Sequence, residues 1–229
     1  MILLQIPSPI QENVAAMQPE VTELPIMKLV LDPNGLWIFI PLLFMFIWAS
    51  YVFIERYITI SKSAKEDHNF MNNIRDFIHD GKLDSAVTLC KGSDKPLAHM
   101  IEKGLTRIGR PLNDISAAIE NTGKLEVSKL EKRVSSLAMI AGAAPMIGFL
   151  GTVVGMIMTF HTMAANPNNF NIEQLSGGIY VAMITTVEGL VVGIPAYICY
   201  NVLVARISKV VNLLENKATE FMDLLHEPL

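Results

Sequence analysis

Apolar residues along this chain follow two patterns that differ in length and period. In three stretches every face is apolar. Residues 36–54 read LWIFIPLLFMFIWASYVFI, with no charge before Glu55 and Arg56. Residues 137–163 read LAMIAGAAPMIGFLGTVVGMIMTFHTM and carry no acidic, lysine or arginine side chain. Residues 177–204 read GGIYVAMITTVEGLVVGIPAYICYNVLV, with one charge, Glu188. A helix crosses about 30 Å of hydrocarbon in roughly 20 residues. A surface helix of a soluble domain would show a polar face over that length. The pattern predicts transmembrane helices over 36–54, 137–163 and 177–204.

Elsewhere the apolar residues recur at helical spacing. Phe70, Ile74, Phe77 and Ile78 keep i, i+4, i+7, i+8 spacing, and Ile101, Leu105 and Ile108 share one face. Gly81, Gly92 with Ser93, and Arg110 with Pro111 punctuate the segment 55–136 into about four helices. No proline interrupts Leu112 to Ser136, and that pattern runs straight into the second span. The tail 205–229 keeps the spacing at Val210, Leu213, Leu214, Phe221, Leu224 and Leu225. The expected fold class is an all-α membrane protein with three transmembrane helices. Spans two and three extend as long helices into a cytoplasmic helical bundle. Stripes outside lipid need partners, within the subunit or between subunits. The segment 164–176 contains AANPNNFNIEQL and reads as a turn. Residues 1–35, with apolar Val14, Met17 and Val21, are compatible with a short surface helix or with no fixed structure. They lack the features of a cleaved signal peptide, so they are expected to stay on the mature chain.

Charge orients these elements. Lysine and arginine are concentrated in 55–136, while 1–35 contains only Lys28 and 164–176 contains none. The tail adds Arg206, Lys209 and Lys217. Basic segments stay on the cytoplasmic side, which puts the N-terminus and the 164–176 hairpin in the periplasm and the C-terminus in the cytoplasm. The composition, 51% hydrophobic and 17% charged, lies below the roughly 25% charged residues of soluble domains and agrees with a membrane class. The net charge of −4 and the absence of a basic stripe with interleaved aromatics argue against nucleic-acid binding. Cys90 and Cys199 stand far apart and read as small packed residues, not as a disulfide or metal pair.

The candidate chemistry lies inside the spans. Gly148, Gly151 and Gly155 in span two, and Gly189 and Gly193 in span three, include two GxxxG pairs that allow close helix approach. Pro145 and Pro195 predict local bends. Thr152 and Thr159 share a face of span two, and Thr185 and Thr186 lie in span three. Each hydroxyl has an ordinary alternative, a bond to its own helix backbone. Glu188 has less of an alternative. A carboxyl at mid-span costs about 2.5–3.5 kcal/mol on insertion scales, and no lysine or arginine lies in any span to pair with it. Such a group is suited to taking up and releasing a proton as its hydration changes. The scattered histidines form no HExxH, and no GxSxG or phosphate-binding loop occurs. His161 reads as an interfacial residue. No enzyme, metal or cofactor is expected.

These residues carry a resemblance. Ala144-Pro145-Met146-Ile147-Gly148-Phe149-Leu150-Gly151-Thr152-Val153-Val154-Gly155-Met156 resembles the APxxGLxGTVxGM signature of the MotA/TolQ/ExbB proton-channel family. Gly178-Ile179 through Thr185-Thr186, then Gly189-Leu190, Ile194-Pro195 and Tyr200-Asn201, resembles its third-span signature. Within the family the chain is most similar to ExbB, in its Bacteroidetes-type form. The resemblance implies a homopentamer whose spans two and three line a pore. That pore would hold the transmembrane helices of an ExbD-like dimer with a protonatable aspartate. Proton flow would be passed to a TonB-like protein and on to outer-membrane transport. Thr152 and Thr186 match the family's threonines and would line the pore beside that aspartate.

One position departs from the pattern. The family commonly has a glutamate where this chain has Val181, and Glu188 lies seven residues later. Seven residues turn a helix about 20° short of two turns and rise about 10.5 Å, so both project from nearly one face. Either the acidic function has moved along the pore, or Glu188 is tolerated at a subunit contact and the partner's aspartate carries every proton. A TolQ-like envelope role, a gliding or secretion motor and a passive membrane scaffold remain as alternatives.

Overall fold

A computed structural model describes residues 36–64, 68–165 and 172–226. The N-terminal segment 1–35 and the centre of the expected 164–176 turn lie outside the described residues. Within them the chain is helical, with no strand, which agrees with the all-α expectation. Seven helices follow in order: α1 Leu36–Ser63, α2 His68–His79, α3 Leu83–Lys91, α4 Pro96–Leu105, α5 Leu112–Glu131, α6 Val134–Ala165 and α7 Ile172–His226. Three of them, α1, α6 and α7, are long and apolar enough to cross a membrane.

Local chemistry sets the small helices α2 to α4. Gly81, at φ +69°, takes the left-handed conformation that ends α2. There the Lys82 N–H donates to the Phe77 carbonyl at 2.8 Å. Pro96 opens α4 at the position where its missing N–H costs nothing. Phe221 of α7 is fully buried, worth roughly 1.5–3 kcal/mol in removing its ring from water. It fits because Gly104 has no side chain: a Cβ there would lie 2.7 Å from the Phe221 ring and 2.9 Å from Ile119.

The long helices behave differently from each other. α7 runs unbroken for 55 residues, about 82 Å at 1.5 Å per residue, from its apolar span into the bundle formed with α4 and α5. The helix leading into span two is interrupted, contrary to the expectation of an unbroken run from Leu112. Lys132 is extended, and Arg133 sits at φ 69°, the one non-glycine residue with positive φ among the described residues. The break coincides with a tertiary contact. Arg133 reaches 2.8 Å to Glu55 Oε2 on α1, while Glu55 Oε1 takes Arg56 at 3.0 Å. The turn out of helix places that guanidinium beside α1.

In the membrane, α6 packs along α7, and α1 lies against both. Away from this seam the three helices expose large apolar side chains such as Phe44, Met146 and Val191, surfaces suited to lipid or to neighbouring subunits.

Candidate functional site in the membrane seam

The seam between α6 and α7 is built from residues without side chains. A Cβ on Gly148 would lie 2.7 Å from the Thr185 carbonyl oxygen and 3.0 Å from the Gly189 Cα. A Cβ on Gly189 would lie 2.6 Å from the Ala144 carbonyl oxygen. Gly155 faces Ala182 at 3.0 Å, and Gly151 faces both Thr185 and Ile38 of α1 at 2.6 Å. Gly193 meets the Pro145 ring at 2.6 Å. With so few side chains between them the backbones touch, which is how helices gain packing energy where lipid removes the hydrophobic drive. Pro145 also withdraws a donor from the Ala141 carbonyl, an oxygen facing Gly193. Pro195 lies inside α7 on an exposed face.

The threonines divide into two sets. Thr159 is buried and donates to the Gly155 carbonyl at 2.8 Å; Thr152 donates to Phe149 at 2.7 Å. Thr185 is buried, donating to Ala182 at 2.7 Å with the Gly148 carbonyl at 3.4 Å. These three hydroxyls have bonds within their own helices. The Thr186 hydroxyl instead reaches across the seam, 3.4 Å from the Gly148 carbonyl. Above the tightest crossing, towards the hairpin, a cavity of about 790 Å³ opens between α1, α6 and α7. It brings together Gly151, Gly155, Thr159, Val181 and Thr185, with Trp37 and Ile38 as its α1 wall and His161 among its outer residues. Thr152, Thr186 and Glu188 do not line it.

Glu188 lies about 10.5 Å along α7 from Val181, on nearly the same face. It is half-buried, and its Oε2 is shut from solvent with no hydrogen-bond partner. Eighteen residues on, five turns of helix at 3.6 residues each, Arg206 projects from that face. There it donates to Tyr57 Oη at 2.7 Å and Ser61 Oγ at 2.9 Å, both on α1. Its guanidinium lies 4.1 Å from the Tyr57 ring centroid. The face bearing Glu188 is therefore the α1-side flank of α7, away from the Thr186 flank. The site so described holds one unpartnered acid, several hydroxyls and close backbone carbonyls. Among the described residues no cluster of three His, Cys, Asp or Glu could hold a metal.

Sequence reasoning missed the interfacial clamp of Glu55, Arg56 and Arg133, and the Arg206–Tyr57–Ser61 contact. Their partners are separated by 78 residues for Arg133 and Glu55, and by 145 for Arg206 and Ser61. Charge at a span end shows only that such residues sit near the bilayer surface, not which ones meet.

A family model described as the MotA/TolQ/ExbB proton channel family matches residues 92–216, which take in the seam. The chain is 36% identical over 102 residues to the biopolymer transport protein ExbB of Aquifex aeolicus, covering 44% of this chain and 68% of that protein. It is 31% identical over 120 residues to an ExbB homologue of Methanothermobacter thermautotrophicus, covering 52% of this chain and 42% of that one. A Tol-Pal system protein TolQ of Haemophilus influenzae is 35% identical over 101 residues, 44% of either chain. The match thus spans less than half the length of the last two relatives.

Proposed function

Because this chain belongs to the MotA/TolQ/ExbB proton channel family, we propose that it is an ExbB-like subunit of an inner-membrane motor. In this reading it couples the proton-motive force, with ExbD-like and TonB-like partners, to energised transport across the outer membrane. The observation that carries the proposal is the mid-span carboxyl of Glu188, half-buried with its Oε2 shut from solvent and without a bonding partner, beside a seam of close-packed glycines. A carboxyl in that position gains nothing from ion pairing and is costly to keep in lipid, which favours a role in moving protons. Five copies would enclose the ExbD-like helices, with Thr152 and Thr186 bordering the pore. The N-terminus and the hairpin would be periplasmic, and the α2–α5 bundle cytoplasmic. Glu188 would act as an acidic group displaced along α7 from the position held by Val181.

The test is substitution of Glu188 by Gln, which preserves shape and removes the titrating group. Expression with an ExbD-like partner should give an assembled complex that no longer supports proton-dependent uptake. Full uptake in the E188Q complex would end the role given to Glu188. The similarity to a TolQ protein supports a second reading, a motor for envelope maintenance. Restoration of outer-membrane integrity in a strain lacking its own TolQ-type subunit, without restored transport, would favour that reading.

A further inference from the structure

The cytoplasmic bundle contains a cavity of about 650 Å³ that the membrane seam does not use. It lies between α2, α3, α4 and the inner half of α7, and Ser63 at the end of α1 also lines it. Phe70, Phe77, Leu89, Leu97 and Leu213 form the apolar part of the wall, and Ser63, Ser85, Thr88 and Ser93 bring hydroxyls to the rest. Among the described lining residues Lys95 is the one charged side chain, and none is acidic. Lys95 has no ion-pair partner among the described residues. It is also the residue before Pro96, and the 10-residue α4 begins there with no side-chain cap. The N-terminal residues Leu97 and Ala98 line the same cavity. One end thus combines a free ammonium group with uncapped backbone N–H groups, both favouring an anion. The phenylalanine and leucine side chains favour hydrocarbon, and the volume falls within the roughly 300–1,000 Å³ typical of small-molecule sites.

We propose that this cavity binds a single-chain anionic amphiphile, with its head at Lys95 and the α4 N-terminus and its chain against Phe70 and Phe77. The position suits exchange with the inner leaflet. Ser63 lies eight residues past Glu55, where α1 first carries charge, a rise of about 12 Å. Occupancy would brace α7 against α2, α3 and α4, linking the lipid surface to the helix that continues through the seam. The head could be the carboxylate of a free fatty acid or the phosphate of a lysophospholipid, and the test separates these sources.

The full chain, in phosphatidylcholine nanodiscs, is irradiated with a diazirine-bearing palmitate, and the adducts are mapped by mass spectrometry. The expected result is labelling of peptides containing Phe70, Phe77 and Leu213. Unlabelled palmitate or lysophosphatidylglycerol should suppress it, whereas hexadecanol should not. Competition by palmitate alone assigns a free carboxylate, and by the lysolipid alone a lipid phosphate. Lys95→Glu should weaken labelling about tenfold, the scale of one lost charge-assisted contact, with unchanged helicity. Leu89→Trp, filling the cavity, should abolish it. Labelling confined to lipid-facing residues such as Phe44, equal competition by hexadecanol, or no effect of Lys95→Glu would overturn the proposal.

Discussion

Cys90 of α3 is fully buried. Burial, with a smaller contribution from the Glu102 charge, pushes its thiol up to about 12. The folded protein should therefore resist maleimide at pH 8 and react once unfolded, a contrast measurable by mass spectrometry. The sign of the pH effect follows from which state releases the proton first. An unfolded thiol ionises near about 8.5, whereas the folded one keeps its proton to about 12. Stability is therefore complete below the lower value and falls as pH rises through the window between them. Cys90→Ala should remove that component from denaturation midpoints measured against pH. At the same scale, Gly148 and Gly142 lie on one helix but face different surroundings. Nothing lies within 4 Å of a Cβ at Gly142, whereas one at Gly148 would press on the backbone of α7. Gly148→Ala should cost about 1–3 kcal/mol through overpacking, while Gly142→Ala should be near neutral, read from thermal midpoints in nanodiscs. Both glycines were visible in the sequence. Which one meets a neighbouring backbone was not, because GxxxG spacing gives a face of the helix and not its partner.

At the scale of elements, the break between α5 and α6 is the clearest departure from sequence expectation. No glycine or proline marks it, since the left-handed residue is Arg133. Positive φ at a non-glycine residue costs on the order of 1–3 kcal/mol and persists only when surroundings impose it. Here the ion pair with Glu55 accompanies the break, and such a part-exposed pair offsets about 1 kcal/mol or less of that cost. Arg133→Gly should keep the break and relieve strain while losing the pair, leaving stability within about 1 kcal/mol of the parent. Arg133→Val has neither the pair nor an easy left-handed conformation. It should destabilise by about 1–3 kcal/mol and straighten the junction. Urea midpoints would give the energies, and distances between spin labels on α5 and α6 the geometry.

At the scale of the whole molecule, the three membrane helices leave broad apolar faces open, including Met139, Met146 and Phe149 on α6 and Val187, Val191 and Ile194 on α7. Lipid satisfies such faces, and so do neighbouring copies. In the proposed motor the α6 and α7 faces split between a pore and subunit contacts. Native mass spectrometry of the detergent-extracted complex is expected to give five copies of this chain, with two ExbD-like chains on co-expression. A monomer that persists across mild detergents would contradict the assembly. The two flanks of α7 also separate Glu188 from Thr186, so a single ring of pore-lining groups does not describe both. The sequence could place Glu188 beneath Val181 by helical arithmetic. It had no means of placing that flank beside α1.

By itself the sequence determined the helical class, the three apolar spans, the small residues of the seam and the isolation of one carboxyl among uncharged residues. These follow from periodicity and composition, which act locally and in one dimension. Only the tertiary structure decided that span two starts after a break at Arg133 and that Thr159, Val181 and Thr185 share a cavity that excludes Glu188. It also decided that Lys95 lines a chamber walled by Phe70 and Phe77. Those outcomes depend on which faces of distant helices meet, and on competition between local backbone preference and ion pairs spanning many tens of residues.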